Sequence, residues 1–255
     1  MRKEVSFFND TSTAYIAEYD RETPEGYSFR VRRERVLELL PQNGSGKRVL
    51  DIACGPGIMA EGVSEKCYSI DCIDAAPDMI EIARKKYGKV PNTTFAVGDV
   101  YAINAPADTY DFVTAMGLVE YLDDQDKAMA EIARVTKKGG TVIVTFPNHP
   151  SFWRAWARTL RTVTDMPRAL YRKVTGKKKY PITHREYTED EARAYIQRHG
   201  LHPESAVYYN FKVTPFPFDG WFPRFTVWQS GQLEKPSSSL RKICATAFIM
   251  QATKQ

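Results

Sequence analysis

The chain has 255 residues, of which 43% are hydrophobic and 26% charged, a composition typical of a globular protein with room for one α/β domain and an insertion. No segment approaches the ~20 apolar residues of a membrane-spanning helix, and the N-terminus lacks the apolar run of a signal peptide, which predicts a cytoplasmic protein. The net charge is +5, but residues 151–179 hold nine basic residues and one acid. This segment therefore carries +8 and the rest of the chain −3, which argues against general affinity for nucleic acid.

Cysteine and histidine usage gives little support for a bound metal. The four cysteines contain no C-x-x-C pair, and the four histidines are scattered. In a reducing compartment the cysteines are expected to be free thiols. We predict no metal site.

Strands and helices alternate through the first half of the chain. The patterns predict strands at 48–53, 68–74, 93–97, 110–115 and 140–146, with helices at 58–66, 77–87 and 124–135. Alternation of this kind implies parallel strands joined by right-handed crossovers, so we predict a doubly wound sheet. Before it, residues 12–20 and 27–40 read as two helices.

A glycine loop follows the first predicted strand. Residues 55–60, "GPGIMA", fit the G-x-G-x-x-G/A pattern, which brings backbone amides up to a cofactor. Asp51, Asp74 and Asp99 accompany three successive strands. Asp74 could bind the ribose of either NAD or S-adenosylmethionine, whereas Asp51 beneath the loop would oppose a pyrophosphate and favour an ammonium and a sulfonium. The charges therefore favour S-adenosylmethionine.

Five segments carry a family resemblance. "VLDIACGPG", "IDAAPDMIEIARKK", "FAVGDV", "YDFVTAMGLVEYLDD" and "EIARVTKKGGTVIVTFPN" resemble the successive motifs of class I S-adenosylmethionine-dependent methyltransferases. The resemblance is close over 48–148. It implies a seven-stranded, mostly parallel sheet of order 3-2-1-4-5-7-6, with strands six and seven at 206–213 and from Cys244 onwards.

The resemblance also implies which residues bind the cofactor. They lie at the ends of the first four strands: Gly55 and Gly57 at the methionine end, Asp74 at the ribose, Ala75 and Met79 beside the adenine, Asp99 and Val100 at its amino edge, and Asp51, Ala53 and Met116 around the loop. Residues 1–47 would form a helical lid, from which Tyr15 and Arg33 are predicted to reach the cofactor; Tyr19 and Arg30 are further candidates. The alternative is that these helices simply pack on the sheet.

Methyl transfer needs a base only when the acceptor must lose a proton. Candidates are Glu120, Tyr121 and His149 on the loops after the fourth and fifth strands, and His184 in the cap. A plain turn role for His149 stays open. Related quinone-pathway enzymes carry Glu-His where this chain has Glu120-Tyr121, which argues against a metal-assisted route.

A basic, aromatic cap insertion is predicted at 149–187, between the core at 48–148 and its C-terminal part at 188–255. Phe152, Trp153 and Trp156 recur at helical spacing, with arginines on another side. This helix could serve as a lid, rest on an anionic membrane or attract an anionic acceptor. Residues 214–228 hold a dense aromatic cluster whose prolines predict an irregular pocket wall, with core packing as the alternative.

The sequence therefore predicts an S-adenosylmethionine-dependent methyltransferase that acts on an O, N or C atom of a small aromatic or lipophilic acceptor. A membrane-associated quinone or lipid methyltransferase, an RNA methyltransferase, a nicotinamide-dependent reductase and a catalytically silent scaffold remain alternatives. Peripheral membrane contact would use 151–179. The oligomeric state stays open.

Overall fold

Seven strands form one mixed sheet in the computed structural model, which describes residues 3–160, 184–234 and 241–255. They are β1 (Arg48–Ile52), β2 (Ser69–Asp74), β3 (Thr93–Val97), β4 (Tyr110–Ala115), β5 (Thr136–Pro147), β6 (Leu201–Phe211) and β7 (Ala245–Lys254). The order is β3-β2-β1-β4-β5-β7-β6, and β7 runs antiparallel to both of its neighbours. The predicted doubly wound sheet and its order are confirmed.

Helices cover both faces of the sheet. They are α1 (Lys3–Tyr19), α2 (Pro24–Leu39), α3 (Ala60–Ser64), α4 (Pro77–Tyr87), α5 (Gln125–Val135), α6 (152–160 within the described residues), α7 (Glu189–Gln197), α8 (Phe218–Trp221), α9 (Pro223–Leu233) and α10 (Arg241–Cys244). Local signals fix several ends: Thr23 caps α2 by accepting from the Gly26 amide, and Thr188 opens α7 with a capping box. α1 begins well before the predicted start at Ser12.

Alternate residues of the strands pack into two separate hydrophobic cores, one on each face of the sheet. On one face, Leu50 and Val113 pack with the buried sides of α5 and α7. On the other, Val49 and Phe112 pack with α2, α3 and α4. The side chains of a strand alternate between faces, so each face of the sheet has its own core. With both faces covered, a ligand is expected beyond the carboxyl ends of the strands.

The proline-rich aromatic segment corrects one prediction. Residues 218–233 form α8 and α9 instead of an irregular wall, because Pro223 occupies the first turn of α9, where its missing N–H costs no hydrogen bond. Most of the predicted cap, 161–183, lies outside the described residues. No helix within the described ranges is long and apolar enough to cross a membrane.

Candidate active site

The glycine loop turns sharply between β1 and α3. Ala53, Gly55 and Gly57 all adopt left-handed backbone conformations, with φ of 55°, 52° and 78°. A Cβ added to Gly57 would lie 2.8 Å from a ring carbon of Phe95, whereas one on Gly55 would approach only Tyr15, at 4.0 Å. Gly57 therefore allows the loop to pack closely against the domain. At Gly55 there is free space beside the backbone, so a ligand can approach it.

Asp74, the last residue of β2, holds this loop in place. Its carboxylate accepts hydrogen bonds from the backbone amides of Gly55, at 2.9 Å, and Ala76, at 2.8 Å. Burial raises the pKa of Asp74, and these two amides oppose the rise. A carboxylate has about four acceptor sites, so two donors leave capacity for ligand hydroxyls.

A cleft lies above the loop and encloses about 750 Å³ of empty space including its open mouth. It is lined by eight of the predicted cofactor residues: Tyr15, Ala53, Gly55, Asp74, Ala75, Met79, Val100 and Met116. Val5 and Phe8 of α1 and the loop after β4 close its other sides. The structure thus brings most of the predicted cofactor residues around one cavity.

The other four predicted cofactor residues lie outside this lining. Gly57 faces the core, and Asp99 accepts from the Tyr101 amide at 3.0 Å. Arg33 donates from Nε to the carbonyl of Ile58 at 2.8 Å, so it braces the backbone after the glycine loop. Asp51 is the fourth.

Asp51 is fully buried beneath the loop. Its Oδ1 accepts from the Thr114 hydroxyl at 2.7 Å, while Oδ2 has no hydrogen-bond partner among the described residues. Burial raises the pKa of Asp51 to about 7, although the Thr114 hydrogen bond lowers it. The neighbouring Ile52 and Ala53 line the cleft, so this carboxyl lies directly behind the cleft wall.

A second, larger cleft adjoins the first. It encloses about 2830 Å³ of empty space including its open mouth, and Tyr121 and Leu122 line both cavities. Among the residues that the structure describes, five cationic and five acidic side chains line it: Arg32, Arg154, Arg158, Arg185 and Lys212, with Glu18, Glu25, Glu120, Glu186 and Asp219. Aromatic side chains line it as well, among them Trp153 and Phe216, so the predicted aromatic segment contributes to a wall that is also charged.

Glu120, Tyr121 and His149 all line this second cleft. Glu120 is 7% exposed, and its Oε2 has no partner among the described residues. Burial raises the pKa of Glu120 to about 7 against the charges of Arg32 and Arg154. The carboxyl is therefore divided between its two protonation states near neutral pH.

Tyr121 lies at the junction of the two clefts. Its hydroxyl is 3.0 Å from Nε2 of His184, and burial raises its pKa. His149 is exposed, and its carbonyl accepts from Arg158 at 3.1 Å. The structure thus pairs Tyr121 with His184 and leaves His149 at the periphery.

Sequence reasoning missed Arg32, which lies at the same junction. A Cβ on Gly117 would be 2.5 Å from Arg32 Nη1, and Gly117 lines the first cleft. The Nε of Arg32 is buried without a partner among the described residues. Arg30, one of the predicted candidates, instead donates to the Tyr19 carbonyl at 2.8 Å. Helical spacing from Phe29, which lines the second cleft too, could have selected Arg32.

Lys212, one residue beyond β6, was missed as well. It is 9% exposed, its Nζ is 4.0 Å from Asp219, and it lies 4.6 Å from the ring centre of Trp153. Burial lowers its pKa, and Asp219 opposes this. No periodic signal marks a lysine after an edge strand.

Sequence comparison with known proteins also indicates a methyltransferase domain. Residues 50–144 match the family model described as a methyltransferase domain. A 2-methyl-6-phytyl-1,4-hydroquinone methyltransferase of Oryza sativa is 28% identical over 137 residues, which cover 53% of this chain and 39% of that protein. An aklanonic acid methyltransferase of Streptomyces is 34% identical over 151 residues, which cover 57% of this chain and 66% of that protein.

A solved structure matches nearly the whole fold. Magnesium protoporphyrin IX methyltransferase of Synechocystis, with bound S-adenosylhomocysteine, has a TM-score of 0.66 and 13% identity, covering 98% of this chain and 97% of that one. By contrast, the chain spans about two fifths of the length of the first curated relatives it matches, from 39% to 44%.

The sheet order, the glycine loop and the family match define a class I S-adenosylmethionine-dependent methyltransferase fold. Residues 50–144 match the methyltransferase domain family, which confirms the predicted cofactor, S-adenosylmethionine. These matches favour this interpretation over the nicotinamide-dependent reductase and the RNA methyltransferase.

Proposed function

We propose that the protein transfers a methyl group from S-adenosylmethionine in the smaller cleft to a small aromatic or lipophilic acceptor in the larger one. The junction at Tyr121 and Leu122 carries this proposal, because the cleft lined by the predicted cofactor residues adjoins a second cavity there. The hydroquinone and the aklanonic acid in the relatives' names support an acceptor of this size and character.

The residues around the smaller cleft fit the cofactor. Gly55 offers backbone to the methionine end, and Asp74 has free acceptor capacity for the ribose hydroxyls. Met79 and Val100 supply apolar walls for the adenine. Asp51 and Asp99 would act from behind this lining, Asp51 through its unpartnered oxygen.

Bound S-adenosylmethionine supplies an activated methyl group on a sulfonium. The protein then has to hold the acceptor atom in line at near-contact distance and exclude water. Arg32, against Gly117, is placed to bind an electronegative atom of the acceptor beside the donor. Glu120 can take a proton from the acceptor, since burial brings its pKa to about 7.

The charged lining of the larger cleft restricts the kinds of acceptor that the protein can bind. Glu186 forms salt bridges with both Arg154 and Arg158, which offsets one of their two positive charges, and Lys212 has Asp219 nearby. Arg32 and Arg185 have no carboxylate within salt-bridge distance among the described residues; Arg185 donates to the Gln125 amide oxygen instead, and the Nε of Arg32 has no partner there. We therefore infer an acceptor that combines an apolar body with an acidic or phenolic oxygen. Contact of 151–179 with a membrane, and a cytoplasmic location, stay predictions.

Transfer of a radiolabelled methyl group tests the proposal. Purified protein is incubated with labelled S-adenosylmethionine and hydroquinones, phenols and carboxylic acids that carry apolar substituents. Glu120→Gln is compared with Glu61→Gln, an exposed carboxyl on α3 outside both clefts. We expect label in at least one acceptor class and loss of transfer in Glu120→Gln alone. Tight binding of NADH without binding of S-adenosylhomocysteine would contradict the proposal.

A further inference from the structure

Five large aromatic rings on α8 and α9 face solvent. This aromatic face consists of Phe218, Trp221, Phe222, Phe225 and Trp228, which are between 44% and 68% exposed. Single exposed apolar side chains are ordinary, but a cluster of this size within eleven residues is characteristic of an interaction surface.

In helix α9 the polar side chains face the protein and the aromatic side chains face solvent, the reverse of an ordinary surface helix. Its inward residues are Thr226 and Ser230, which are 0% and 1% exposed, while Phe225 and Trp228 point outward. The Thr226 hydroxyl donates to the carbonyl of Phe222 at 3.1 Å, so the polar inner side is satisfied within the fold. Core packing therefore does not account for the aromatic side chains, because it uses the opposite face of the helix.

The charges around the aromatic face favour an anionic surface as its partner. Arg224 is exposed between Phe222 and Phe225 and forms no salt bridge to a described residue. The two acids of 218–234 are engaged within the fold. Asp219 is 7% exposed and accepts a hydrogen bond from the Trp153 indole at 3.1 Å. Glu234 accepts one from the backbone amide of Asn210 at 2.7 Å. No exposed carboxylate interrupts the aromatic face within this range.

Helix α6 extends the same surface. Phe152 and Trp156 are 45% and 42% exposed, and the indole of Trp156 donates to the Phe216 carbonyl at 2.7 Å, which ties α6 to the segment before α8. Tryptophan and phenylalanine together with arginine are the residues that favour the boundary between lipid headgroups and acyl chains.

The aromatic face also borders the larger cleft. Pro217, Gly220 and Pro223, which lie within or beside α8, line that cavity. We propose that the aromatic face docks on the surface of a bilayer containing anionic lipids and opens the cleft towards an acceptor dissolved in it. The last step rests on the proposed function, whereas docking itself does not.

Vesicle binding tests the docking directly. Protein is sedimented with vesicles of phosphatidylcholine alone or mixed with phosphatidylglycerol, without any acceptor. We expect binding that is stronger on the mixed vesicles, and a loss of about tenfold or more in Trp221→Ala/Trp228→Ala, since each ring contributes buried apolar area. Val97→Ala is the matched control, because Val97 is 56% exposed on β3 at the opposite edge of the sheet from β6.

Two further measurements separate the outcomes. Arg224→Gln is expected to weaken binding to the mixed vesicles and to leave binding to phosphatidylcholine unchanged. Sedimentation velocity without lipid tests for a second copy: a dimer that Trp221→Ala/Trp228→Ala converts to monomers would overturn the proposal. Equal vesicle binding by parent and double variant would overturn it too.

Calorimetry with S-adenosylhomocysteine keeps the two proposals distinct. Each variant is expected to bind this product as the parent does, because none of the substituted side chains lines the smaller cleft. Bound product without vesicle binding would defeat the docking proposal alone. Vesicle binding without bound product would defeat the proposed function alone.

Discussion

The affinity for S-adenosylmethionine is expected to depend on the protonation of Asp51. This carboxyl is buried behind the wall of the smaller cleft, and its Oδ2 is unpartnered among the described residues. Burial raises its pKa to about 7, so the free protein holds it protonated below that pH. A ligand that carries an ammonium and a sulfonium stabilises the carboxylate, so binding should favour loss of the proton.

The magnitude follows from the ionised fraction. With a pKa of about 7, roughly a tenth of the Asp51 carboxyls are ionised at about pH 6 and nine tenths at about pH 8. If only the ionised form binds well, affinity rises about tenfold between these values and then levels off. At a pH equal to that pKa, about half a proton is released per cofactor bound.

Isothermal titration in buffers of different ionisation enthalpy measures both quantities at once. Asp51→Asn keeps the shape and the hydrogen bond from the Thr114 hydroxyl but cannot ionise. It should therefore bind more weakly at high pH and show a flat pH profile without proton release. Circular dichroism at each pH checks that the variant stays folded.

Glu120→Gln is the matched control, since burial brings the pKa of Glu120 to about 7 as well. Glu120 lines the larger cleft and not the smaller one, so its variant should keep the pH dependence of the parent. The reasoning fails if the dependence survives in Asp51→Asn, or if it disappears in Glu120→Gln.

Three further predictions concern the glycine loop and the junction. Gly57→Ala should lower the melting temperature, because a left-handed alanine costs about 1–2 kcal/mol and its Cβ would lie 2.8 Å from Phe95; an unchanged melting curve would contradict this. Asp74→Asn should weaken cofactor binding about tenfold or more by calorimetry, because an amide nitrogen cannot accept the hydrogen bonds that the carboxylate does. Gly117→Ala should displace Arg32 and raise the acceptor KM while the fold is retained by circular dichroism; a normal KM would refute the role of Arg32.

The sequence by itself determined the sheet and predicted most of the residues that line the smaller cleft. Strand and helix periodicities are local, and the crossover rule converts their alternation into parallel pairing. The glycine loop and Asp74 are also a local signal, because each directly follows or ends a parallel strand. Residues in that position lie at the ligand-binding edge of the sheet, however the rest of the chain packs. For these reasons most of the predicted cofactor residues surround one cavity.

Only the tertiary structure decided which side chains reach the junction of the two clefts. The sequence singled out Arg30 and Arg33 of α2 and missed Arg32, whereas the burial of Val31 and Val36 sets the rotation that directs Arg32 to Gly117. That contact joins residues 85 positions apart, which no short-range periodicity encodes.

The aromatic segment illustrates the same limit. Proline positions and aromatic density predicted an irregular pocket wall. Phe216 does line the larger cleft, but Pro223 opens a regular helix and the rings of α8 and α9 face solvent. Composition describes a side chain's preference for apolar surroundings, but the rotation of α9 is fixed by Thr226 and Ser230 fitting against the fold. Whether such a ring is core, pocket or surface is therefore decided by packing between elements distant in the chain.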